Sequence, residues 1–219
     1  MSEAQARATD SSRTVVLTAA SMIAAIMLEN LIGRMGELSD ASVLWGSSGA
    51  VLTQSALILV AIGNWWVFFA TVTSIGRWLL TPLDLLAPIA VGALALLAIE
   101  NISLQVQTEF LAVLTIVWLG GVVLDRIVVA GMQSHDSASM VLFDHYPSRW
   151  VERLFYAAAS ATGLACLLSF AAEPIPLLTN ALILVAALLD AGIVFLQLGW
   201  WNRAVQGARI DKRAAGATS

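Results

Sequence analysis

The chain has 219 residues, of which 59% are hydrophobic and only 12% charged, with a formal net charge of −4 and a mean hydropathy of +0.83. Soluble domains carry about 25% charged residues, so this composition excludes an ordinary soluble fold and implies a polytopic membrane protein. A lone cysteine, Cys166, excludes a disulfide framework or a cysteine-based metal site within one chain, and the eleven Lys plus Arg are too few and dispersed for nucleic-acid binding.

Taken in order, the sequence predicts an all-α bundle of six transmembrane helices. Residues 1–13 are small and polar, expected as a flexible cytoplasmic tail. The membrane domain covers residues 14–203, with spans at about 15–32, 50–75, 85–104, 110–130, 151–172 and 177–201, and residues 204–219 form a basic cytoplasmic tail. Arg13 followed by an apolar run imitates a secretory signal, but no convincing small-residue cleavage site follows, so the run is read as span 1. Pro88 is expected in the first turn of span 3, where a missing N–H is tolerated. The longest loop, residues 131–150, carries His135-Asp136 and Asp144-His145, a weak signal for metal or acid–base chemistry.

Six crossings put both ends on one side. Ten of the eleven Lys plus Arg then fall on that side and only Arg34 falls opposite, so the positive-inside rule makes the termini cytoplasmic and the membrane a cell membrane. The outer side carries Glu29, Glu37, Asp40, Glu100, Glu109 and Glu173 against Arg34, a formal −5.

Internal similarity appears twice. ALILVA occurs at 56–61 and 181–186, and an offset of 126 places Asn64 on Asp190, Phe69 on Phe195 and Arg77 on Arg203. The odd spans end alike, on Leu28-Glu29-Asn30, Ile99-Glu100-Asn101 and Ala172-Glu173-Pro174. Three helical hairpins of like orientation follow, with a pseudo-symmetry axis along the membrane normal.

Asp190 lies thirteen residues from Leu177 and thirteen from Arg203, close to the bilayer midplane. A carboxylate there costs at least about 2.5–3.5 kcal/mol, so something must offset it. Helical spacing places Ile183, Asp190, Val194, Gln197 and Trp201 on one face of span 6. The matching faces hold Thr53, Leu57, Asn64 and Thr71 on span 2, and Thr162, Cys166, Ser169 and Glu173 on span 5. Such stripes turn away from lipid, either as interhelical glue or as the lining of a path.

The transport reading makes Asp190, Asn64, Gln197 and Thr71 a site for a monovalent cation or proton, with Glu29, Glu100 and Glu173 as an acidic outer ring. The bland reading of that ring has each glutamate capping the returning helix. Gly120-Gly121 allow close helix packing, and Asp125-Arg126 read as an interfacial pair.

No metal or cofactor is expected, and no Walker A, nucleophile-elbow or HExxH motif is present. The expected partners are the lipid bilayer and a second copy of the chain. The sequence reading therefore favours a small cation or proton channel or carrier, with a non-conducting scaffold or accessory subunit as the alternative and a membrane enzyme third. Conduction requires that water or an ion reach Asp190; a side chain sealed among its neighbours withdraws that reading and leaves the topology.

Overall fold

The computed structural model describes residues 3–38, 49–75, 82–104, 106–135, 146–170 and 176–217. Among them are six helices and no strand: α1 Glu3–Leu38, α2 Ala50–Ile75, α3 Pro82–Glu100, α4 Thr108–His135, α5 Ser148–Ser169 and α6 Pro176–Ala217. Five segments are long and apolar enough to cross a membrane: Thr14–Leu38, Ala50–Thr73, Thr108–Val128, Ser148–Ser169 and Leu177–Arg203. In α3 the apolar stretch is shorter, Pro88–Glu100.

Several boundaries differ from expectation for local reasons. Residues 3–13, expected as a flexible tail, and 204–217, expected as a basic tail, are helical; good helix formers such as Ala, Gln and Arg are frequent at both ends and no proline interrupts them. Likewise α1 continues past residue 32 to Leu38, so Glu29 lies inside the helix, not at its end. The extension is tied down by Arg34, which pairs with Glu37 at 2.9 Å and donates through Nε to the Ile102 carbonyl beyond α3 at 3.1 Å. Since α3 starts at Pro82, Pro82 takes the first-turn position and Pro88 sits six residues on, nearly two turns later, where it leaves the Asp84 carbonyl without its helical N–H.

Packing order runs α1–α2–α6–α5–α4–α3 and back to α1, closing a ring. Neighbours α4 and α5 are antiparallel, as Thr108–Ser169 and Thr115–Thr162 at 2.8 and 2.9 Å require. The α2–α6 pair is instead parallel, with Thr53 meeting Asn180 and Asn64 meeting Asp190. So is α1–α3, where Ile23 crowds the backbone at Gly92 and Arg34 reaches Ile102. Three hairpins around a three-fold axis would alternate odd and even helices, and this order does not. The axis expected from the sequence is therefore absent from the packing.

The distribution of side chains is inside-out relative to a soluble protein. Large apolar residues such as Met22, Leu59, Ile127, Leu167, Leu188 and Phe195 face outward, while Gln54, Asp125, Asp190 and Gln197 are buried to 1% exposure or less. Only a solvent as apolar as lipid makes that arrangement favourable, and the protein is a multi-pass membrane bundle.

Candidate functional site

Burial on α6 follows a helical stripe, Ile183, Asp190, Ile193, Gln197 and Trp200. It lies one residue off the expected Val194 and Trp201, which are half-buried. Within this stripe Asp190 is 0% exposed, and its Oδ1 accepts a hydrogen bond from the Asn64 Nδ2 amide of α2. Asp190 Oδ2 and Asn64 Oδ1 have no hydrogen-bond partner among the described residues.

Toward the ends of α2 and α6 that carry Thr53 and Asn180, the side chains buried between the polar Gln54-Ser55 layer and the Asn64–Asp190 pair are Leu57, Ile58, Ile62, Ile183, Ala186 and Ala187. These are apolar layers with nothing to hydrogen-bond water. A cavity of about 60 Å³ lies nearby, lined by Asn64 and by apolar and aromatic side chains including Met27, Trp65, Trp118 and Phe155, but Asp190 is not in its wall. The carboxylate is thus sealed among its neighbours.

The polar stripe on α5 has a different use. Thr162 bonds Thr115, Ser169 bonds Thr108, and the Cys166 thiol lies 3.8 Å from the Thr108 carbonyl. Each contact joins α5 to α4, which is interhelical glue. Glu173 lies outside the described residues.

Gln197 and Thr71, expected beside Asp190, instead line a second, smaller cavity of about 10 Å³ together with Asp125 and Tyr146. Gln197 is seven residues beyond Asp190, about 10.5 Å along the helix. Asp125 is 1% exposed; its Oδ1 accepts from the Tyr146 hydroxyl at 2.7 Å, and its Oδ2 has no partner among the described residues. Burial pushes the Tyr146 phenol well above its ordinary pKa, so it remains a donor. Gln197 faces the same phenol, and its amide carbonyl oxygen has no hydrogen-bond partner among the described residues.

Arg126 does not pair with Asp125, contrary to expectation. It turns to Glu152 on α5 in a two-pronged ion pair, Nε to Oε1 and Nη2 to Oε2, both 2.9 Å. Successive helical residues point about 100° apart, which separates the two side chains.

Glu29 and Glu100 are exposed, on the sides of α1 and α3 away from the buried Met27, Leu31, Ala98 and Ile99. Their neighbours Asn30 and Asn101 make matching contacts, each amide donating 2.8 Å back to the carbonyl four residues earlier. The structure brings neither glutamate to Asp190. Gly121 packs closely: a Cβ there would lie 2.8 Å from the Phe155 ring, whereas one on Gly120 would meet nothing within 4 Å. His135 ends α4, and the other loop residues singled out above lie outside the described residues.

Among the described residues no three His, Cys, Asp or Glu side chains gather as a metal site. Comparison with known proteins finds no matching family, no matching curated sequence and no matching solved structure.

Proposed function

We propose that the chain is a six-crossing protein of a cell membrane, with both termini cytoplasmic, that serves as a non-conducting scaffold or accessory subunit. The observation that carries this reading is the seal on Asp190. A path for ions needs water or oxygen ligands on both sides of its midplane group, and here one side is filled by Leu57, Ile58 and Ile183. The Asn64 amide partly offsets the buried carboxyl and fixes α2 against α6, which is the use expected of an intramembrane hydrogen bond. Duplication as the origin of α2 and α6 is supported by their parallel, in-register contact. The arginine asymmetry supports the orientation. Assembly with a second copy fits a scaffold.

The opposing reading, a proton or monovalent-cation carrier, draws on the unpaired Asp190 Oδ2. One experiment separates the two. Protein reconstituted into liposomes is assayed for proton, sodium and potassium flux beside Asp190→Asn and Asp190→Leu. Flux indistinguishable from empty vesicles in all three is the expected result. Flux in the parent that Asp190→Leu abolishes overturns the scaffold.

A further inference from the structure

We propose that the larger cavity, enclosed among α1 to α5, is a binding site for the single aromatic ring of a lipid-soluble molecule. Six helices packed as a closed ring leave an axial space, and side chains alone must fill it. Most of the cavity wall comes from α2 and α4, which are not neighbours in the ring, so the void lies between facing helices and not in a seam. About 60 Å³ stays open there, roughly four to six times what one water needs, and protein interiors keep few voids of that size.

The chemistry of the wall selects the occupant. Apart from Asn64 and two indoles its side chains are apolar, so water finds too few partners there. Rings stand on both sides: Trp65 and Phe68 from α2, braced against Phe69 with centroids 5.1 and 5.4 Å away, and Trp118 from α4, 6.4 Å from Phe155 of α5. Asn64 also holds Asp190, thirteen residues from either end of its apolar stretch, so the cavity lies near the bilayer midplane and its occupant comes from the hydrocarbon. A molecule already dissolved in lipid gains nothing from the hydrophobic effect on entering. What it gains is close contact with fixed rings, which favours a flat, rigid ring packed edge-on or offset against them. An acyl chain would give up rotational freedom for contacts it already has in the bilayer.

The site does not rest on the non-conducting reading, because the flux assay tests passage and the following experiment tests occupancy. Gly121 marks its position. The missing Cβ leaves room for the Phe155 ring, and a methyl there drives that ring into the void, whereas the adjacent Gly120 is not in the wall.

Purified protein in nanodiscs is titrated with radioactive toluene, and with methylcyclohexane as its saturated counterpart of equal carbon number; protein-free nanodiscs correct for partition into lipid. Thermal unfolding is followed in parallel. Toluene is expected to bind saturably and, at tenfold excess over Kd, to raise the midpoint by roughly 3–6 °C, with methylcyclohexane giving neither saturable binding nor a rise. Gly121→Ala is expected to weaken toluene binding about tenfold, and Gly120→Ala to leave it unchanged. Should Gly121→Ala fail to fold, Ala95→Leu places a larger side chain in the same space and is expected to abolish the binding. Toluene uptake no greater than that of protein-free nanodiscs overturns the proposal, as does methylcyclohexane bound as tightly as toluene. Toluene binding undiminished in both Gly121→Ala and Ala95→Leu puts the ring elsewhere and overturns it too.

Discussion

Gly120 and Gly121 are adjacent in sequence, yet only one of them is needed for packing. A methyl group on Gly121 would press on Phe155 Cε1 at 2.8 Å, and the Phe155 ring borders the cavity of about 60 Å³, into which it can yield. Gly121→Ala is therefore expected to lose about 1 kcal/mol, and Gly121→Val, which fills more than the ring can vacate, about 3 kcal/mol. Gly120→Ala places its methyl in open space and gains helix propensity, up to about 1 kcal/mol. Unfolding of the three variants by denaturant in mixed micelles, compared with the parent, checks the order. Stability losses of equal size at both positions would mean that the glycine pair serves as a flexible joint. The same one-residue rotation explains Asp125 and Arg126, one turned inward to Tyr146 and the other outward to Glu152. That separation was available from the sequence through the 100° step; the identity of Tyr146 as partner was not, since it comes from a segment twenty-one residues away.

The pair α2 and α6 is the element-scale counterpart. An offset of 126 puts Asn64 on Asp190 in the sequence, and the same two residues share a hydrogen bond because the helices lie parallel and in register. Equivalent positions of parallel neighbours face each other, so the two side chains are expected to be exchangeable. The swap Asn64→Asp with Asp190→Asn keeps one carboxyl and one amide across the contact and is expected to match the parent in thermal midpoint. Asp190→Leu alone strands the Asn64 amide donors at a cost of about 1–3 kcal/mol, and adding Asn64→Leu recovers most of that loss because no polar group is then left unmet. A swap variant as unstable as Asp190→Leu would show that the environments on the two helices differ and that the register is coincidental. Here the sequence was legible in what pairs and illegible in its surroundings. The Ala, Leu, Ile and Val runs of α6 read alike on every side, so helical spacing places the stripe at Val194 and Trp201 where Ile193 and Trp200 are buried, and sets Thr71 and Gln197 beside Asp190 where the structure lines them up with Asp125.

At the scale of the molecule, hydropathy reads the helices because bilayer thickness demands runs of about 20 apolar residues, but it says little about who packs beside whom. Lipid is as apolar as leucine, so helix order is left to small residues, polar contacts and loop lengths, none of which has a long-range sequence signature. That is why the sequence yields the helices and not the ring α1–α2–α6–α5–α4–α3. The least certain crossing by composition is α3, 19 residues in the structure, which at about 1.5 Å per residue spans close to the 30 Å of a hydrocarbon core. Parity makes it testable. With α3 across the membrane both termini share a side; with α3 lying along the surface they are opposed. After Cys166→Ala, single cysteines at Ser2→Cys, Gly36→Cys and Gln206→Cys report on the two tails and the C-terminal end of α1. Gly36 is exposed and leaves room for the new side chain. An impermeant maleimide added to intact cells is expected to label only Gly36→Cys, with both tail positions reacting after permeabilisation. Labelling of one tail, but not the other, in intact cells would give five crossings, and with them the arginine asymmetry would lose its meaning, since Arg77 and Arg203 would no longer share a side.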